Sequence, residues 1–74
     1  MRIKELREAA GLSPAALGLR VGVSRQAVRK WETGESWPSA QLLPRLAFAL
    51  GCQVSDLFEP AELAEWSDTD TKQE

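Results

Sequence analysis

Through residues 1–58 the apolar side chains return every three or four positions, in blocks separated by glycine and serine. That spacing places side chains on one face of an α-helix, whereas a half-buried strand alternates with period two. Ile3, Leu6 and Ala10 form one stripe, Leu17 and Val21 a second, and Val28 and Trp31 a third. Leu42, Leu43, Leu46, Ala47 and Leu50 form a fourth, with Val54, Leu57 and Phe58 closing the core. Gly11-Leu12-Ser13 and Gly22-Val23-Ser24 each set a helix stop two residues before an N-cap. Gly34 ends the third helix, Ser39 opens the fourth and Gly51 ends it. The pattern predicts helices over about 2–10, 14–21, 25–33, 40–50 and 55–58, with no strand. The fold class is all-α, a compact five-helix bundle.

Three residues qualify this picture. Pro14 falls at a first helical position, where its missing N–H costs nothing. Pro44 lies inside the fourth segment, so that helix either starts later than Ser39 implies or bends. Gly18 lowers helix propensity by about 1 kcal/mol relative to alanine, and close approach of the third helix is the expected reason.

The third helix has two distinct faces. At about 100° per residue, Ala27, Val28 and Trp31 fall within one arc, and Arg25, Gln26, Arg29, Lys30 and Thr33 occupy the other side. Ser24 is its N-cap and Gly34 its left-handed stop. A short helix buried on one side, with arginine, glutamine and lysine on the other, aims hydrogen-bond donors at an anionic, patterned surface. Two short helices joined by Val21-Gly22-Val23-Ser24 also make a helix-turn-helix pattern, in which Leu17 meets Val28 across the turn.

Charge sharpens this reading. The 74 residues carry a net charge of −2, which alone would argue against nucleic acid. Residues 1–58 hold eight basic and five acidic side chains, a net of +3; residues 59–74 hold one basic and six acidic, a net of −5. Four of the eight bases, Arg20, Arg25, Arg29 and Lys30, lie between positions 20 and 30, where no acid occurs. The chain therefore divides into a 1–58 domain with a focused basic stripe and an acidic 59–74 extension, expected to be partly disordered. Cys52 stands alone and there is no histidine, so neither a disulfide nor a zinc site is expected. No nucleophile–base pair or phosphate-binding glycine loop is present, so no enzyme and no cofactor are expected. No apolar run reaches the roughly 20 residues of a membrane span, and the chain is expected to be soluble and cytoplasmic.

Together these motifs resemble the phage repressor and Cro (Xre-type) family of helix-turn-helix DNA-binding domains. The residues that carry the resemblance are Ile3-Lys4-Glu5-Leu6-Arg7, Gly11-Leu12-Ser13, Leu17, Val21-Gly22-Val23-Ser24, Val28, Trp31-Glu32-Thr33-Gly34, Pro38, Leu46-Ala47, Ala49-Leu50-Gly51 and Leu57-Phe58. The resemblance covers residues 1–58 and implies a lambda-repressor-like bundle with the helix-turn-helix in helices 2 and 3. It implies a sequence-specific regulator of transcription, a repressor, that inserts helix 3 into the major groove of double-stranded DNA. Arg25 and Gln26 then occupy positions that touch base edges, Lys30 one turn later does the same, and Arg29 reaches a base or a phosphate. Arg and Lys suit guanine O6/N7 and Gln suits adenine N6/N7. Ser13, Ser24 and Thr33 complete the DNA-contacting set. Pro14 departs from the family, which often has a glutamine there, and leaves that phosphate contact to backbone N–H groups near Ser13 and Ala15. Arg7 and Glu32 match a structural pair.

Other readings stand beside these. The chain could be the DNA-binding antitoxin of a toxin–antitoxin pair, its acidic extension binding the toxin, or a protein-interaction module on the same fold. A homodimer on an inverted repeat, completed only on DNA, would use Val54, Leu57, Phe58, Leu63 and Trp66. Leu63 and Trp66 could equally fold back on the domain or remain in a disordered tail. Trp37 is expected to pack against helix 4, with DNA backbone or a sister subunit as the alternative.

Overall fold

The computed structural model of the chain describes residues 1–62. Four α-helices follow one another, α1 (Ile3–Ala9), α2 (Pro14–Val21), α3 (Arg25–Thr33) and α4 (Leu43–Leu50). A 3-10 turn, Ala40–Leu42, leads into α4 and a second, Val54–Leu57, follows it. No strand occurs among the described residues.

Local chemistry sets the helix starts. Ser13 and Ser24 take extended backbone conformations, and their hydroxyl oxygens accept from the amides of Ala16 and Ala27, each at 3.1 Å. Each cap satisfies one of the amides that a helix start leaves without an intrahelical partner. Ser39 departs from this pattern. It precedes the 3-10 turn and makes no side-chain cap bond. The tension at Pro44 is resolved by a later start: α4 begins at Leu43, which puts Pro44 in its first turn, where an N–H has no intrahelical role.

Ile3, Leu17, Val21, Val28, Trp31, Leu46, Ala47, Leu50 and Leu57 form one buried cluster, with α2 packed on both α3 and α4 and α1 against α3. Burying a side chain of this size contributes about 1.5–3 kcal/mol, so these residues dominate the stability of a small domain. The N-terminal segment is held to the closing turn by the Arg2 amide, which donates to the Leu57 carbonyl at 2.7 Å. The Met1 ammonium lies 3.2 Å from Glu62 Oε2, and residues 60–62 begin a further helical turn.

Three expectations require correction. Ala10 is exposed, because α1 ends at Ala9 and Ala10 serves as its C-cap. Leu6, Leu42 and Leu43 are half-buried against the cluster rather than within it. Leu57, expected at a dimer surface, is 0% exposed and has no surface to offer.

Candidate nucleic-acid interface

The turn between α2 and α3 is built from backbone. Gly22 adopts φ +89°, a left-handed conformation that L side chains rarely take. Its amide donates to the Gly18 carbonyl at 2.7 Å, and the Val23 amide donates to the same oxygen at 2.9 Å. A Cβ at Gly18 would stand 2.6 Å from the Val23 carbonyl oxygen and 3.3 Å from the backbone of Ser24. The glycine is therefore required by the close approach of the backbone that opens α3, Val23 and its N-cap Ser24, in keeping with the expected approach of the third helix.

Val28 and Trp31 anchor the inner side of α3 in the core. Arg25, Gln26, Arg29 and Lys30 stand on its exposed side. None of the four has a side-chain hydrogen bond or ion pair among the described residues. Arg25 and Gln26 occupy the first two positions of the helix, and its first turn holds no acid. The free amides there and the positive end of the helix dipole favour an anion. The geometry therefore brings together the four long donors that the sequence grouped.

The remaining candidates have local duties as well. The Ser13 and Ser24 hydroxyls serve as helix caps. The Thr33 hydroxyl lies 3.2 Å from both the Lys30 carbonyl and Glu35 Oε2, at the C-terminal end of α3 and away from Arg25.

The frame behind this face is an ion pair. Arg7 Nε donates to Glu32 Oε2 at 2.7 Å and Nη2 to Oε1 at 3.4 Å, while Nη1 donates to the Leu12 carbonyl at 2.7 Å. Arg7 is 8% exposed. The hydrogen bond to the Glu32 carboxylate raises the Arg7 pKa, against the opposing effect of burial, so the guanidinium stays charged. One guanidinium thus ties α1 to the last turn of α3 and to the segment that leads into α2. The pairing expected of Arg7 and Glu32 is present.

Three features escaped the sequence reading. Phe48 and Leu19 are 89% and 84% exposed, and Trp37 is 57% exposed while Pro38 beside it is buried. Of the expected dimer residues, Val54 and Phe58 are half-buried against the core, and Leu63 and Trp66 lie outside the described residues. No group of three or more metal-ligating side chains and no helix long and apolar enough to cross a membrane occurs among the described residues.

Residues 3–57 match the family model described as Helix-turn-helix. A protein of Bacillus subtilis (strain 168), named an uncharacterized HTH-type transcriptional regulator, YgzD, is 39% identical over 57 residues, covering 77% of this chain and 86% of the relative. An uncharacterized HTH-type transcriptional regulator of Methanothermobacter thermautotrophicus is 42% identical over 57 residues, covering 76% of this chain and 83% of the relative. Among solved structures, the P22 c2 repressor in complex with a synthetic operator superposes with a TM-score of 0.74 at 38% identity, covering 78% of this chain and 88% of the repressor chain.

Proposed function

The chain belongs to the helix-turn-helix family of phage-repressor (Xre) type, a family of DNA-binding transcriptional regulators, and on that premise we propose that it is a sequence-specific repressor that places α3 in the major groove. The observation that carries this reading is the outer face of α3. Arg25, Gln26, Arg29 and Lys30 are exposed and unpartnered among the described residues, on a helix whose other side is held in the core. Arg25 and Gln26, at the helix start, read base edges, with Arg suited to guanine and Gln to adenine. Lys30 reads a base one turn on, and Arg29 meets a base or a phosphate. Ser13, Ser24 and Thr33 sit near the backbone, where amides and hydroxyls position rather than specify. The likeness to a repressor solved with its operator supports the assignment.

One helix of nine residues reads only a few base pairs, too few for selectivity among genomic sites. Two copies on an inverted repeat double the information, with half-sites about one helical turn apart. Because Leu57 belongs to the core, the contact between copies is left to Val54, Phe58, Leu63 and Trp66. The place of action is the cytoplasm, where the DNA lies.

Titration of a labelled duplex at several salt concentrations tests DNA binding itself. Each phosphate neutralised adds about −0.9 to the slope of log affinity against log salt. A steep negative slope is expected; affinity that is absent or indifferent to salt would exclude this reading.

A further inference from the structure

Away from the outer face of α3, Arg20, Arg45, Phe48 and Ala49 line an open groove of about 420 Å³ between α2 and α4. Phe48 is 89% exposed, and Leu19, next to Arg20 in α2, is 84% exposed. Neither arginine has an ion pair or side-chain hydrogen bond among the described residues. The charge around them is one-sided. Residues 9–31 and 36–55, which hold the whole of α2 and α4, contain no acid. The surface is an apolar projection between two unpaired cations, with no carboxylate along either helix.

This chemistry selects the occupant. A DNA backbone offers phosphates to the arginines but leaves the Phe48 ring in water. A second copy laid groove to groove covers the rings but brings four guanidinium groups together. A small aromatic anion in the groove covers one side of Phe48 only, because a ring so exposed has no wall beyond it. An acidic protein segment with an apolar side chain satisfies both parts. Its carboxylates make charge-assisted hydrogen bonds to the guanidinium groups, and its apolar group packs on the ring. Phenylalanine and arginine are also among the residues enriched where proteins meet.

We propose that this groove docks an acidic segment of a partner protein, whose carboxylates meet Arg20 and Arg45 and whose apolar side chain packs on Phe48. The proposal stands apart from the reading of α3 as a recognition helix, since the groove lies on α2 and α4. Arg45 also borders the helix-turn-helix, its Nη1 lying 3.8 Å from where a Cβ on Gly22 would stand. The docked segment therefore lies beside that turn.

Heteronuclear NMR of the full chain tests this, with a synthetic acidic peptide as probe, a tryptophan set between pairs of glutamates. Saturable shifts are expected at the amides of Arg20, Arg45, Phe48 and Ala49. Phe48→Ala should weaken the peptide about tenfold, as loss of a central anchor does, and a peptide with alanine for tryptophan should bind as weakly. Arg20→Glu with Arg45→Glu should abolish binding. Phe48 and both arginines are outside the core, so the variants are expected to keep cooperative melting. A peptide that leaves the groove amides unmoved, or that binds Phe48→Ala as well as the unaltered chain, would overturn the proposal. Shifts centred on Arg25, Arg29 and Lys30 would overturn it too, because the peptide then follows charge alone. If a DNA duplex or phosphatidylglycerol vesicles move the Phe48 amide and the peptide does not, the groove belongs to nucleic acid or membrane and the proposal fails.

Discussion

Arg7 and Glu32 stand 25 residues apart in the chain and 2.7 Å apart in the fold, and the same guanidinium holds the Leu12 carbonyl. One side chain thereby links the segment that leads into α2 with the last turn of α3.

Removal of either charge strands its partner in a nearly dry site. Glu32→Ala is expected to cost about 3–5 kcal/mol, the range for breaking a buried pair. In a domain of this size each kcal/mol moves the melting temperature by about 4–8 °C. A thermal melt unchanged within a degree or so would show that the pair carries no structural weight.

Gly18→Ala pits propensity against packing. Alanine improves helix propensity by about 1 kcal/mol, yet its Cβ would meet the Val23 carbonyl oxygen at 2.6 Å, an atom of the backbone that cannot swing aside. Overpacking of this kind costs about 1–3 kcal/mol, so net destabilisation and a displaced α3 are expected. Chemical denaturation decides it, and a stabilised variant would mean that the turn yields freely.

Cys52 titrates above an ordinary thiol, pushed up by burial and then by Asp56, with Arg2 opposing. A pKa raised by folding stabilises the chain fully below the unfolded pKa and loses that contribution as pH rises through the folded one. Stability is therefore expected to fall on the alkaline side, less so in Cys52→Ala. Native Cys52 should also react more slowly with a thiol reagent than in the denatured chain. Equal labelling rates would contradict this.

Much of the fold was legible because its signals are local. Ser13, Ser24 and Gly22 act within a residue or three of themselves, so the ends of α2 and α3 emerged where capping chemistry put them. The two faces of α3 followed from helical period alone. Features that depend on neighbours were harder to read. Leu57, in a four-residue 3-10 turn, was expected both in the core and at a dimer surface; its burial keeps the first role and removes the second. Ser39 looked like the cap of α4, but Pro44 and the preceding 3-10 turn moved the start to Leu43.

Base recognition by Arg25 and Gln26 makes a quantitative demand. Arg25→Ala or Gln26→Ala should cost about 1–3 kcal/mol on the best site and relax preference at one base pair. Both side chains are exposed, so thermal stability should hardly change. Competition between matched and altered duplexes measures the effect, and wild-type preference in both variants would remove these residues from base readout.

Selection of bound sites from a random duplex pool, using the full chain, tests the central claim most directly. The account predicts one enriched motif made of two inverted half-sites, centred about one helical turn apart and lost when Arg25 and Gln26 are both alanine. A pool that emerges with no enriched motif would contradict it.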